Sequence, residues 1–115
     1  MPAESIAYQK SLAFGKRIVN LYRYLTSEHK EYVLSKQILR SGTSIGANIA
    51  EARYGISKKD FLAKIYISLK ECAETIYWLE LLSSCSYINE EEYHSLLQDC
   101  EELRRILSAT TRTAQ

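Results

Sequence analysis

Gly42, Gly46 and Ala50 recur at four-residue spacing within RSGTSIGANIAEA, residues 40–52, and so fall along one side of a helix. Nothing larger than a methyl group stands on that side, so a second helix can approach closely. Each Gly inside a helix costs about 1 kcal/mol relative to Ala. Two of them in one stripe therefore imply a tight helix contact that offsets the loss. Asn48 and Glu51 place polar groups beside that contact.

The rest of the chain extends the helical reading. Four Gly and one Pro in 115 residues leave too few turn residues for a many-stranded β protein. Apolar residues instead recur at steps of three and four. A first helix, about 5–25, has the seam Ala7, Ser11, Phe14, Ile18, Leu21 and Leu25. A second, about 31–54, has Ile38, Gly42, Ile45, Ile49 and Ala52. A third, about 58–82, has Leu62, Ile65, Leu69, Cys72, Ile76 and Leu79. A fourth, about 90–108, has Tyr93, Leu96, Cys100, Leu103 and Leu107.

Capping residues mark the boundaries. Gly55 is placed to end the second helix in a left-handed conformation. Ser57 with Asp60, and Asn89 with Glu92, have the spacing of side-chain caps. Pro2 lies outside any element, and the small, polar tail 109–115 is expected to fray. Loops near 26–30 and 83–88 are short, which makes sequential helices antiparallel neighbours. The expected fold class is all-α: one domain over 1–115, an antiparallel up-down-up-down four-helix bundle.

The third helix is apolar on more than its seam, with Phe61, Tyr66, Ile67, Tyr77, Trp78, Leu81 and Leu82 around its other sides. Surface of that kind has to be covered. A second copy of the chain would cover it, and nine tyrosines suit half-wet interfaces. The competing reading is that these aromatics wrap the core of a monomer. The expected partner is self, and the packing or oligomer motif comprises Gly42, Gly46, Asn48, Ala50, Glu51, Tyr66, Glu71, Glu74, Tyr77 and Trp78. Asn48 has two roles open to it: fixing register and oligomer state as a polar group on a seam, or facing a ligand.

Reactive chemistry is sparse. Three widely spaced cysteines without a CxxC pair argue against a disulfide framework or a zinc ribbon. Cys72 and Cys100 read as core fillers and Cys85 as a loop residue. A di-iron bundle needs two Glu-x-x-His pairs, and Glu91 with His94 is the single one. Glu51, Glu71 and Glu74 could do acid–base work if burial separated their pKa values, but no nucleophile–base pair or Gly-rich phosphate loop accompanies them. Pairing with Lys or Arg is the favoured reading. No catalytic residue, metal ligand, cofactor or small-molecule substrate is assigned, and the chain is expected not to be an enzyme. It has no secretory pattern and no apolar stretch near the ~20 residues of a membrane span, so a cytoplasmic location without membrane contact is expected.

Net charge is +1, yet residues 1–70 hold twelve Lys or Arg against five Asp or Glu, and residues 71–115 hold three against nine. The basic set is Lys10, Lys16, Arg17, Arg23, Lys36, Arg40, Arg53, Lys58 and Lys59. Phosphate binding needs such groups on one connected face, and Lys16, Arg17, Arg23, Lys36 and Arg40 are the candidate nucleic-acid face. The alternatives are a solvated surface, or a surface complementary to the acidic fourth helix of a neighbouring copy.

RSGTSIGANIAEA, followed by FLAKIYISLKECAETIYWLELL, resembles the bacterial four-helix-bundle family encoded within intervening sequences of 23S rRNA genes, some of whose members carry the label S23 ribosomal protein. The likeness rests on Ser44, Ile45, Asn48, Ala50 and Glu51, then on Phe61, Lys64, Leu69, Glu71, Glu74, Thr75, Tyr77, Trp78 and Leu79. The resemblance implies an antiparallel bundle assembled into a ring, with a homopentamer favoured. The fold is also similar to that of the accessory proteins of diversity-generating retroelements, which implies basic surface presented to nucleic acid. The functional expectation is a non-enzymatic, self-assembling scaffold that docks RNA, DNA or a nucleic-acid enzyme. The alternative is a pure protein–protein interaction module without nucleic-acid contact.

Overall fold

Apolar seams at three- and four-residue steps are hidden from water when helices pack them inward, and the chain does this four times. The computed structural model describes residues 2–114, with side chains from Ile6 onward. It contains α1 (Pro2–Glu28), α2 (Leu34–Ala52), α3 (Lys58–Ser84) and α4 (Glu90–Ala114). No strand occurs among the described residues. The bundle measures 44 × 21 × 19 Å.

Each helix packs against two others: α2 lies between α1 and α3, and α4 closes the ring of contacts between α3 and α1. Cross-helix partners fix the sense of neighbouring helices. Ser41 meets Thr75, Ile45 meets Ser68, and Glu51 meets Lys64, so α3 descends as α2 ascends. Lys10 meets Glu102 and Arg17 meets Asp99, so α1 and α4 also run oppositely.

The α1 seam is buried at every expected position, as is that of α2. On α3 the buried line is instead Ile65, Ser68, Cys72, Thr75, Leu79 and Leu82, while Leu62, Leu69 and Ile76 are half-buried. Counting apolar residues alone misplaced this seam. Ser68 and Thr75 are buried because each hydroxyl has a partner: Ser68 donates to the Ile45 carbonyl at 2.8 Å, and Thr75 to the Ser41 hydroxyl at 2.9 Å. A satisfied hydroxyl loses little on burial.

Several boundaries depart from expectation. Helix α1 begins at Pro2, a residue suited to a first turn because its missing N–H has no helical partner there. Helix α2 starts at Leu34, not Glu31, because the Glu31 carboxylate accepts the N–H groups of Val33, Leu34 and Ser35 at 3.1, 3.0 and 2.7 Å. Gly55 is not left-handed. Glycine is instead required there by close packing, since a Cβ would stand 3.0 Å from the Phe61 nitrogen. The left-handed residues are Lys30 and Ser86, in the loops after α1 and α3. The expected frayed tail is helical to Ala114, because buried Thr111 prolongs the Leu96–Cys100–Leu103–Leu107 seam by a turn. Ser57 and Asn89 cap as expected, accepting from the Asp60 and Glu92 N–H groups at 3.1 and 2.8 Å.

Candidate interaction site

The glycine stripe faces α1 of the same chain. A Cβ on Gly42 would stand 2.8 Å from Cγ1 and 2.9 Å from Cγ2 of Ile18, and one on Gly46 would stand 2.9 Å from the Ser11 hydroxyl. Toward solvent the same seam stays open. A groove of about 670 Å³ runs between the helices, with Tyr8, Leu12, Gly15, Val19, Gly46, Ala47 and Ala50 among its lining and Lys16 and Arg23 also contributing. Leu12 is 51% exposed.

The outer face of α3 is the second uncovered surface. Ala63, Tyr66, Ile67, Ala73 and Tyr77 are all exposed along it, with Lys70 and Glu80 interspersed. The Tyr77 and Trp78 rings meet edge-on at 5.0 Å. Trp78 is half-buried, and its indole N–H donates to Glu74 at 2.9 Å. The other apolar residues read as excess on α3 divide: Phe61 and Leu81 are half-buried and Leu82 is core.

Between α2 and α3 the polar groups are satisfied locally. Arg40 bridges Glu71, at 3.3 Å, and Glu74. The Trp78 indole and the Arg40 guanidinium hold the Glu74 carboxyl below its ordinary range. Glu51 lies further along, paired with Lys64 at 2.9 Å, so the three carboxylates do not share a site. Asn48 is half-buried off the core seam and donates to the Ser44 carbonyl of its own helix at 2.8 Å.

The candidate basic face does not form as one surface. Arg17 sits between α1 and α4, bonded to Asp99 at 2.8 Å and to the Ser95 carbonyl at 3.3 Å. Arg40 lies on the other side of the bundle between α2 and α3. Lys16 and Arg23 share the α1/α2 groove, and Lys36 stands exposed on α2. Part of the lopsided charge of the sequence is met inside the chain, with Lys10 and Arg17 of α1 paired to the acidic α4 and Arg40 of α2 paired to Glu71 and Glu74.

Among the described residues no group of three His, Cys, Asp or Glu could hold a metal ion. His94 pairs with Glu90 at 3.8 Å on the exposed start of α4. Cys72 and Cys100 are buried, and Cys85 is exposed at the end of α3. Contact with Cys72 and burial push the Cys100 thiol up, which keeps it protonated and unreactive. Among the described residues no helix is long and apolar enough to cross a membrane.

Sequence reasoning missed two features. One is the Ser–Thr seam between α2 and α3, whose signal is hydroxyl residues at helical spacing on both helices. The other is the capping role of Glu31, hidden because its partners lie only two to four residues ahead.

The family model described as 23S rRNA-intervening sequence protein matches residues 3–109. The crystal structure of a protein with unknown function from the S23 ribosomal protein family, from Bacteroides thetaiotaomicron VPI-5482, is 51% identical. The match covers 96% of this chain and 98% of that one, with a TM-score of 0.95. No curated protein matches.

Proposed function

We propose that this chain, which belongs to the 23S rRNA-intervening sequence protein family, is a non-enzymatic scaffold. In this reading it assembles with copies of itself into a ring, a pentamer by family resemblance, and docks RNA, DNA or a nucleic-acid enzyme on exposed basic surface. The observation that carries the assembly is a pair of uncovered apolar surfaces that differ from each other. One is a groove floored by Gly15, Gly46, Ala47 and Ala50. The other is a ridge bearing Ile67 and Tyr77 on α3. A concave surface of small residues complements a convex one of large residues. Two unlike patches on one chain make heterologous contacts, which close into rings when the rotation allows.

Light scattering on two variants tests this. Leu12→Glu puts a charge at the groove and Tyr77→Glu puts one on the ridge. Both side chains are mostly exposed, so each variant keeps its helix content and loses mass relative to the unmodified particle. Retention of the full particle mass by both variants contradicts the groove-and-ridge contact. A pure protein–protein interaction module is the second reading. It is favoured by the ion pairs that consume Arg17 and Arg40.

A further inference from the structure

Among the described residues, the two ends of the bundle carry opposite charge. The register brings the loop 53–57, the start of α3 and the last turns of α4 to one end, since Tyr8 meets Arg53, Lys10 meets Glu102, and Cys72 meets Cys100. Arg53, Lys58, Lys59, Arg105 and Arg112 are exposed there, and none forms an ion pair with another described residue. Asp60 and the Glu51–Lys64 pair are the nearby carboxylates on the loop side. The opposite end carries Glu28, Glu31, Glu90, Glu91 and Glu92 against Lys30 and Lys36.

Two large apolar side chains stand among the cations. Tyr54 is 80% exposed and Ile56 is 94% exposed, on either side of Gly55. The loop beneath them is anchored. The Arg53 guanidinium lies 4.1 Å from the centroid of the Tyr8 ring, and Tyr54 and Gly55 donate backbone bonds to Glu51 and Ala52. Lys58 and Lys59 occupy the first turn of α3, where backbone N–H groups have no helical acceptor and add to the local positive field.

We propose that this end binds single-stranded nucleic acid, with Tyr54 as the stacking platform and Lys58, Lys59, Arg105 and Arg112 as phosphate contacts. An exposed aromatic ring beside unpaired cations is the arrangement that sequence-tolerant single-strand binders use, because every base offers a π-face and every linkage a charge. The end is 21 × 19 Å across, which suits a short single strand. Two apolar side chains give an anionic membrane little to bury, whereas one ring is enough to stack a base. This proposal rests on the docking half of the scaffold reading and not on its assembly half.

Fluorescence anisotropy of the full chain with labelled short oligo(dT) and oligo(U), at about 50 and about 200 mM salt, tests it. Binding is expected at the lower salt, with a log–log salt slope of about −3 for four phosphate contacts on a single strand. Tyr54→Ala weakens binding roughly 5- to 100-fold while Tyr54→Phe retains it. Lys58→Glu with Lys59→Glu abolishes it, and Lys30→Glu, in the loop at the opposite end of the bundle, leaves it unchanged. Absence of binding at low salt overturns the proposal, as does binding indifferent to the Lys58 and Lys59 changes. Co-sedimentation with phosphatidylserine vesicles but no oligonucleotide binding overturns it in favour of a membrane surface. Particle mass measured on the same samples keeps a failure of assembly distinct: a monomer that binds oligonucleotide leaves this proposal standing.

Discussion

Helix α2 has two sides, and they are finished differently. Toward α3 it is closed by polar pairing: Ser41 with Thr75, the Ile45 carbonyl with Ser68, Arg40 with two glutamates, Glu51 with Lys64. Toward α1 it is closed by proximity at Gly42 and left open at Ala47 and Ala50, where Gly15 of α1 also lines the groove. Burying hydroxyls demands partners at fixed positions, so the first side specifies one register within the chain. Small residues make no such demand, so the second side accepts its own α1 at depth and leaves room for another surface above it. One helix thus specifies the fold on one side and, in the proposed assembly, offers a contact surface on the other.

Substitutions on the two sides should separate these roles. The largest effect is expected from Ile45→Ala, which opens a cavity where the closed seam meets the core. It should cost about 2–5 kcal/mol, seen as a lower urea midpoint with an unchanged slope. Gly42→Ala comes next. The added methyl meets the stiff branched Ile18 side chain, an overpacking cost of about 1–3 kcal/mol that outweighs the helix propensity gained. Chemical denaturation should show a net loss.

An intermediate effect is expected from acid. Burial raises the Glu31 carboxyl, but its backbone N–H partners at Leu34, Ser35 and Val33 outweigh that and hold it below 4.5. Glu74 is likewise held down by Trp78 and Arg40. A depressed carboxyl stabilises the fold above its unfolded value, and that contribution is lost as pH falls through the folded value. Stability should therefore decline below about pH 4.5. Glu31→Gln should lower stability near neutrality by about 0.5–2 kcal/mol, the scale of a lost helix cap, and flatten the decline. An unchanged acid limb in that variant contradicts the role given to Glu31.

The smallest effect sharpens the contrast most. A Cβ at Gly15 meets nothing within 4 Å. Gly15→Ala should therefore stabilise the folded chain, by up to about 1 kcal/mol, opposite in sign to Gly42→Ala. Its methyl narrows the groove, so the same variant should weaken self-association. Equal stability losses from both glycine changes would erase the distinction between the two depths of this seam.

Periodicity made the four helices legible, and the α1 and α2 seams could be read residue by residue because their core positions are apolar or small. The α3 seam could not. Its buried line passes through Ser68 and Thr75, whose partners lie on another helix and are invisible to a pattern of hydrophobicity. The glycine stripe announced a close contact correctly, but spacing does not say which helix approaches, and it is α1 of the same chain. Arg17 and Arg40 illustrate the same limit for charge. Both look available in the sequence, and both are consumed by carboxylates 31–82 residues away. Arg53, Lys58 and Lys59 look no different in the sequence, yet they end exposed together because chain reversal leaves them at an end where few carboxylates reach.

Sedimentation velocity over a wide concentration range tests the central claim, that further copies of this chain cover its groove and ridge. The account predicts a discrete particle several times the 13.2 kDa chain mass that persists on dilution. A species of 13.2 kDa at every loading contradicts it.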